Sequence, residues 1–210
     1  MINLFFLVNK DGLKYFKSIL NKNTDLNTCM RDSKNLCREL NNIRNKSGNK
    51  INQIIENFFG KTNYCFKVEV FPKYFFLGAI NIENGIIVLG QPSRSQSFYL
   101  GILLHEFIHF ILKNKNINRF IEEIICFLFE RMFILEQDKI NIDDFQYDKS
   151  TDDFHKYAII YSKKFYNTFL GFYKDGEIDG LIDFIDKNID NDKKQINIKN
   201  NLAGYLTENG

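Results

Sequence analysis

The stretch Leu103-Leu104-His105-Glu106-Phe107-Ile108-His109-Phe110-Ile111-Leu112 decides how this chain is read. Apolar side chains from Leu100 to Leu112 surround a polar triplet on every side. A helix that is apolar all round belongs in an interior. A polar group buried there without a partner costs roughly 2–7 kcal/mol, so three together require hydrogen-bond or metal partners. On a helix predicted over 97–113, His105 and His109 lie one turn apart on one face. Two imidazoles held that way take adjacent corners of a zinc tetrahedron, leaving room for a third ligand and a water. Glu106 sits about 100° further round the helix, where it can take a proton from that water and pass it to a leaving amine. The chain has only 3 His, two of them in this motif. Chance alone should produce such a match on the order of a few times per thousand chains.

Working outward, 210 residues with 44% hydrophobic content, including 22 Phe and 10 Tyr, suffice for one packed domain. Twenty-eight basic residues against 26 acidic ones give a net charge of +2. That balance lacks the basic surplus expected of a nucleic-acid partner. The apolar run Met1 to Val8 has no basic residues before it and no small-residue cleavage site after it, so it reads as a strand and the chain as cytoplasmic. No apolar stretch is long enough to cross a membrane; Phe98 to Leu112 is short and carries three ionisable residues. The four cysteines, Cys29, Cys37, Cys65 and Cys126, form no Cys-x-x-Cys pair and read as reduced core thiols.

Strand-forming residues cluster at Ile2 to Val8, Tyr64 to Phe71, Tyr74 to Ile80 and Gly85 to Leu89, with Asn84-Gly85 as a hairpin signal. Helical spacing runs from about Leu26 to Ile43, with an interruption at Asn45 to Lys50. A second helix at 51–59 stops at Gly60. Beyond Pro92 the pattern is helical throughout, at 97–113, 119–135, 152–173 and about 177–187. The expected fold is one α+β domain over 1–210. Its parts are an N-terminal strand and helices over 1–60, a small mixed sheet over 61–90, and a helical part over 97–190 that carries the site.

A third ligand is needed. The compact triad with a third His shortly after the motif is absent, because Phe110 to Lys115 occupies those positions. The next helix offers Glu122, Glu123 and Glu130. Here the chain resembles the glutamate zincins, metallopeptidases with His-Glu-x-x-His on one helix and a ligand Glu on the next. Phe120-Ile121-Glu122-Glu123-Ile124-Ile125-Cys126 fits the frame of their second helix, and the resemblance implies Glu123 as the ligand. A helical wheel sets Glu123, Cys126 and Glu130 on neighbouring angles and Glu122 beside Phe129 and Phe133. Glu130 is then a candidate to orient a histidine from behind. The chain departs from the family in the short gap from His109 to Glu123 and in Phe127, where an acidic residue is common.

The resemblance covers roughly Tyr64 to Gly176 and implies more of a site. The strand Ile86-Ile87-Val88 would form the rim of the cleft, pairing with an extended substrate. Tyr157 or Tyr161, with His155 as a rival, would donate a hydrogen bond to the developing oxyanion. The resemblance thus implies a zincin-like fold and a zinc-dependent peptidase acting on peptide or protein. Zn2+ would be held by His105, His109 and Glu123, with Glu106 as general base and then acid. The second reading is a binding or regulatory protein on the same scaffold, with little or no proteolysis.

Overall fold

A computed structural model describes residues 2–8, 26–60, 64–70, 79–81, 86–89, 96–142, 153–191 and 193–195. The chain divides into two compact units, one of residues 1–52, 62–94 and 199–210 and the other of residues 53–61 and 95–198.

In the first unit, β1 (Ile2–Val8), β2 (Tyr64–Val70), β3 (Ala79–Asn81) and β4 (Ile86–Leu89) form a ladder in the order β1-β2-β4-β3. β1 and β4 both run parallel to β2, and β3 pairs antiparallel with β4. The Asn84-Gly85 turn and the first part of the strand expected from Tyr74 lie outside the described residues. One expectation is corrected by this order. β4 is an interior strand, with Ile86, Ile87 and Val88 paired to β2 on one side and to β3 on the other. A strand hydrogen-bonded along both edges has no free backbone to offer an added substrate strand, so Ile86, Ile87 and Val88 are not a substrate rim.

Helix α1 runs unbroken from Leu26 to Phe59, where the sequence suggested a break at Asn45 to Lys50. A single interior glycine, Gly48, costs a helix only about 1 kcal/mol, and no proline occurs in the segment. Gly60 ends the helix at φ 78°, its N–H donating to the Glu56 carbonyl at 3.0 Å.

The motif-bearing unit is helical in all its described elements: the end of α1, α2 (Gln96–Leu112), α3 (Arg119–Asp138), α4 (Asp153–Asp175), α5 (Ile178–Asn188) and a single 3-10 turn at Lys193–Gln195. The α+β expectation is thereby corrected: the described core is all-α. Its buried apolar side chains lie on helices, apart from Ile189 just past α5. The reason lies in α3, where every residue from Phe120 to Leu135 is buried. A helix buried on all sides must be enclosed by several neighbours, and α2, α4 and α5 pack against it. Phe58 and Phe129 meet at 5.1 Å between ring centroids, as do Phe129 and Phe169, tying the end of α1 to α3 and α4. Arg131, 1% exposed, donates from Nη2 to the Ile159 carbonyl and the Ser162 hydroxyl, which fixes α3 against α4. No helix among the described residues is long and apolar enough to cross a membrane.

Helices α2 and α3 form an antiparallel hairpin. The connection from Lys113 to Asn118 is short because Asn118 caps α3 directly, its side chain accepting from the Phe120 N–H at 2.8 Å. As α2 advances in steps of four residues, its partners on α3 run back toward the start of that helix. Ser97 donates to Asp138, Gly101 faces Ile134 and Glu130, His105 meets Glu130 and His109 meets Glu122. A Cβ at position 101 would lie 2.7 Å from Ile134 Cγ1 and 3.3 Å from Glu130 Cγ, so glycine sets the interhelical spacing one turn before His105. Glycine to alanine inside a helix otherwise stabilises by about 1 kcal/mol. Here we expect Gly101→Ala to destabilise by about 1–3 kcal/mol through overpacking, read by chemical denaturation. A gain in stability would show that the helices do not need this close approach.

Candidate metal centre

The hairpin register brings the motif of α2 against the acidic stripe of α3. His105 Nε2 lies 3.2 Å from Glu123 Oε1, and His109 Nε2 lies 3.2 Å from Glu123 Oε2. The two Nε2 atoms are themselves 3.2 Å apart. Behind them, His105 Nδ1 contacts Glu130 Oε2 at 2.9 Å and His109 Nδ1 contacts Glu122 Oε1 at 2.6 Å. A carboxylate only accepts, so each Nδ1 carries a hydrogen and donates it. In the neutral imidazoles, both Nε2 lone pairs and the Glu123 carboxylate therefore point at a common centre. Three acceptors do not converge without a cation or protons between them.

The spacing suits a metal. Ligand atoms about 2.0–2.1 Å from a tetrahedral zinc are separated by about 3.3–3.4 Å, close to the Nε2–Nε2 separation and to the contact that each Nε2 makes with its own oxygen of Glu123. Glu106 supplies a further observation: it is 5% exposed, and its Oε2 has no hydrogen-bond partner. A buried, unpartnered carboxylate oxygen on the motif helix fits a group that waits for a proton-bearing ligand. The Cys126 thiol completes the cluster, with its Sγ and one nitrogen from each of His105 and His109 all within 4.8 Å of one another.

Charge accords with the geometry. Burial alone would lower the pKa of His105; hydrogen bonds to Glu123 and Glu130 overcome it and hold that pKa well above the ordinary value. His109 is likewise raised against burial, by the charge of Glu123 and by its contacts with Glu122 and Glu123. Burial works to raise Glu123, yet the two histidines hold its carboxyl well below the usual range. Burial raises Glu106.

Of the residues singled out from sequence, the structure brings together His105, Glu106, His109, Glu123 and Glu130. His155 joins them from α4, its Nε2 3.6 Å from Glu123 Oε1, with the Phe127 ring against both His105 and His155. Tyr157 and Tyr161 are engaged elsewhere. The Tyr161 hydroxyl donates to Asp190 at 2.8 Å, and the Lys193 ammonium lies 4.2 Å over the Tyr157 ring. Tyr157 is two residues beyond His155, which turns it by about 200° around α4.

Two members went unrecognised in the sequence. Glu122, expected on the side of Phe129 and Phe133, instead holds His109 and is itself held by Arg119 at 3.2 Å. Cys126, which the sequence offers as an ordinary core thiol, falls on the wheel between Glu122 and Glu130.

No family model, curated protein or solved structure matches this chain.

The ligand geometry makes Glu123 distinct from its neighbours. Glu123→Gln should abolish stoichiometric zinc binding, whereas Glu122→Gln and Glu130→Gln should weaken it about 10- to 100-fold, measured by competition with a chelator of known affinity. Equal losses from all three would show that Glu123 has no special place.

Thermal stability of the metal-free chain should peak between about pH 4.5 and 6.5, the ordinary Glu and His values. The histidines' raised folded pKa values give stability that is full below 6.5 and lost as pH rises through them. Glu123's depressed value gives stability present above 4.5 and lost as pH falls. A flat Tm from about pH 5 to 9 would contradict this coupling.

Proposed function

We propose that this chain is a zinc-dependent hydrolase of the glutamate-zincin type, acting on peptide bonds. The observation that carries the reading is the convergence of His105 Nε2, His109 Nε2 and the Glu123 carboxylate at 3.2 Å separations. These three would hold the metal. Glu130 and Glu122 fix the tautomer and ring direction of the two histidines.

Zinc bound there supplies Lewis acidity and lowers the pKa of a water to about 7. The chain's own residues supply the proton handling. Glu106 is adjacent to His105, buried, and unpartnered at Oε2. Burial raises its pKa toward the working range of a general base. It would accept a proton from the attacking water and return it to the leaving nitrogen. His155 is the most exposed of the histidines, with 34% of its side chain accessible, and its Nε2 faces the cluster. Among His155, Tyr157 and Tyr161, its position is the one that suits a hydrogen bond to charge developing on the substrate. Peptide rather than ester or another amide rests on the resemblance of the motif and of Phe120 to Cys126. The free thiols Cys37 and Cys126 fit a reducing compartment such as the cytoplasm.

Purified chain should contain about one zinc per molecule and lose it to a strong chelator. Glu106→Gln should retain that zinc while turnover of a broad peptide library falls about 100- to 10,000-fold. Wild type that takes up no zinc after reconstitution would overturn the reading. Zinc-loaded wild type with no turnover on any library would favour a binding or regulatory protein on the same site.

A further inference from the structure

We infer that Cys126 is a fourth protein ligand of the metal, so that the resting site is closed by a thiolate where water or substrate must enter. The inference rests on the metal reading above and concerns the regulation of that same site.

Three observations support it. Cys126 is fully buried, and its Sγ lies within 4.8 Å of one ring nitrogen of each of His105 and His109. It stands three residues after Glu123 on α3, and residues so spaced share a helix face. It is also four residues from each of Glu122 and Glu130, whose contacts with His109 and His105 place it level with the gap between the two imidazoles. Independently, the buried Oε2 of Glu106, the residue next to His105, has no partner.

An ordinary core cysteine is surrounded by apolar groups. This one has the imidazoles of His105 and His109 beside it. With a metal the S–H bond breaks, the sulfur takes the electron pair into the metal–sulfur bond, and the proton leaves to solvent. Zinc with four protein ligands is the arrangement of closed sites, whereas catalytic sites keep one position open. Glu123 and Cys126 together would thus make a latent centre, opened when the sulfur leaves the metal.

The test uses full-length protein, stripped and loaded with one equivalent of Co2+. Wild type should show a near-ultraviolet sulfur-to-cobalt charge-transfer band beside the visible d–d bands. Cys126→Ser should keep the d–d bands and lose the charge-transfer band. Wild type that binds Co2+ with d–d bands but no charge-transfer band would overturn the thiolate ligand and leave the metal site standing. A band that persists in Cys126→Ser assigns the sulfur to another cysteine and also overturns it. No cobalt binding by wild type removes the metal reading itself. Should Cys126→Ser fail to fold, X-ray absorption on zinc-loaded wild type decides instead. One sulfur at about 2.3 Å beside nitrogen and oxygen at about 2.0–2.1 Å supports the inference, and a shell without sulfur rejects it.

Discussion

Glu106, Glu122, Glu123 and Glu130 share the buried seam between α2 and α3 with two imidazoles. Each ion taken out of water costs several kcal/mol even after relaxation, and only an opposite charge at short range offsets that. Arg119 supplies one, at the end of the seam, through Glu122. The rest must come from protons on the histidines or from a cation between them. The surrounding helices can be understood as holding the seam shut. They do so through the buried run Phe120 to Leu135 of α3, the aromatic contacts of Phe58, Phe129 and Phe169, and Arg131 fastened to α4.

Because the seam is a helix hairpin, its chemistry depends on register. A shift of one residue in α3 would rotate Glu123 by about 100° away from the histidines. Asn118 fixes where α3 starts, the Ser97–Asp138 contact fixes the far end, and Gly101 fixes how closely the axes approach. The span from His109 to Glu123 is shorter than in the glutamate zincins that the motif resembles, and here it has a direct cause. A helix capped by the last residue of its own turn brings its second turn level with the motif without any further connection.

The parts legible in the sequence were those governed by local periodicity. The spacing of His105 and His109 and the all-round apolar context of α2 depend on one helix, and one helix can be read from its own residues. Glu130 and Cys126 were visible as positions on a wheel, but which face of α3 meets α2 is a tertiary fact. That is why Glu122 was assigned to the wrong side. A residue near a helix start can reach sideways to His109 while its neighbour Glu123 points straight in. The substrate rim failed for a related reason: Ile86 to Val88 is a strand as expected, but its place between β2 and β3 is set by pairing that its own residues do not encode. The fold class failed because strand signals in the first ninety residues say nothing about what covers α3, and helices cover it.

With zinc bound as proposed, a donor set of two imidazoles, a carboxylate and a thiol would stand between two uses of that metal. Oxygen and nitrogen ligands with an open position favour catalysis, while thiolate ligation favours retention. On that reading Glu106, whose buried Oε2 lacks a partner to offset its desolvation, would belong to the first use. Cys126 would belong to the second. Both sit at the same seam, and His155 stands at the more exposed end with its ring against Phe127. Glu130 and Glu122 hold the histidines from behind, so a thiolate on the metal could be given up without disturbing them. Removal of the thiolate would then change the coordination number and not the architecture, which is the property a reversible closure requires.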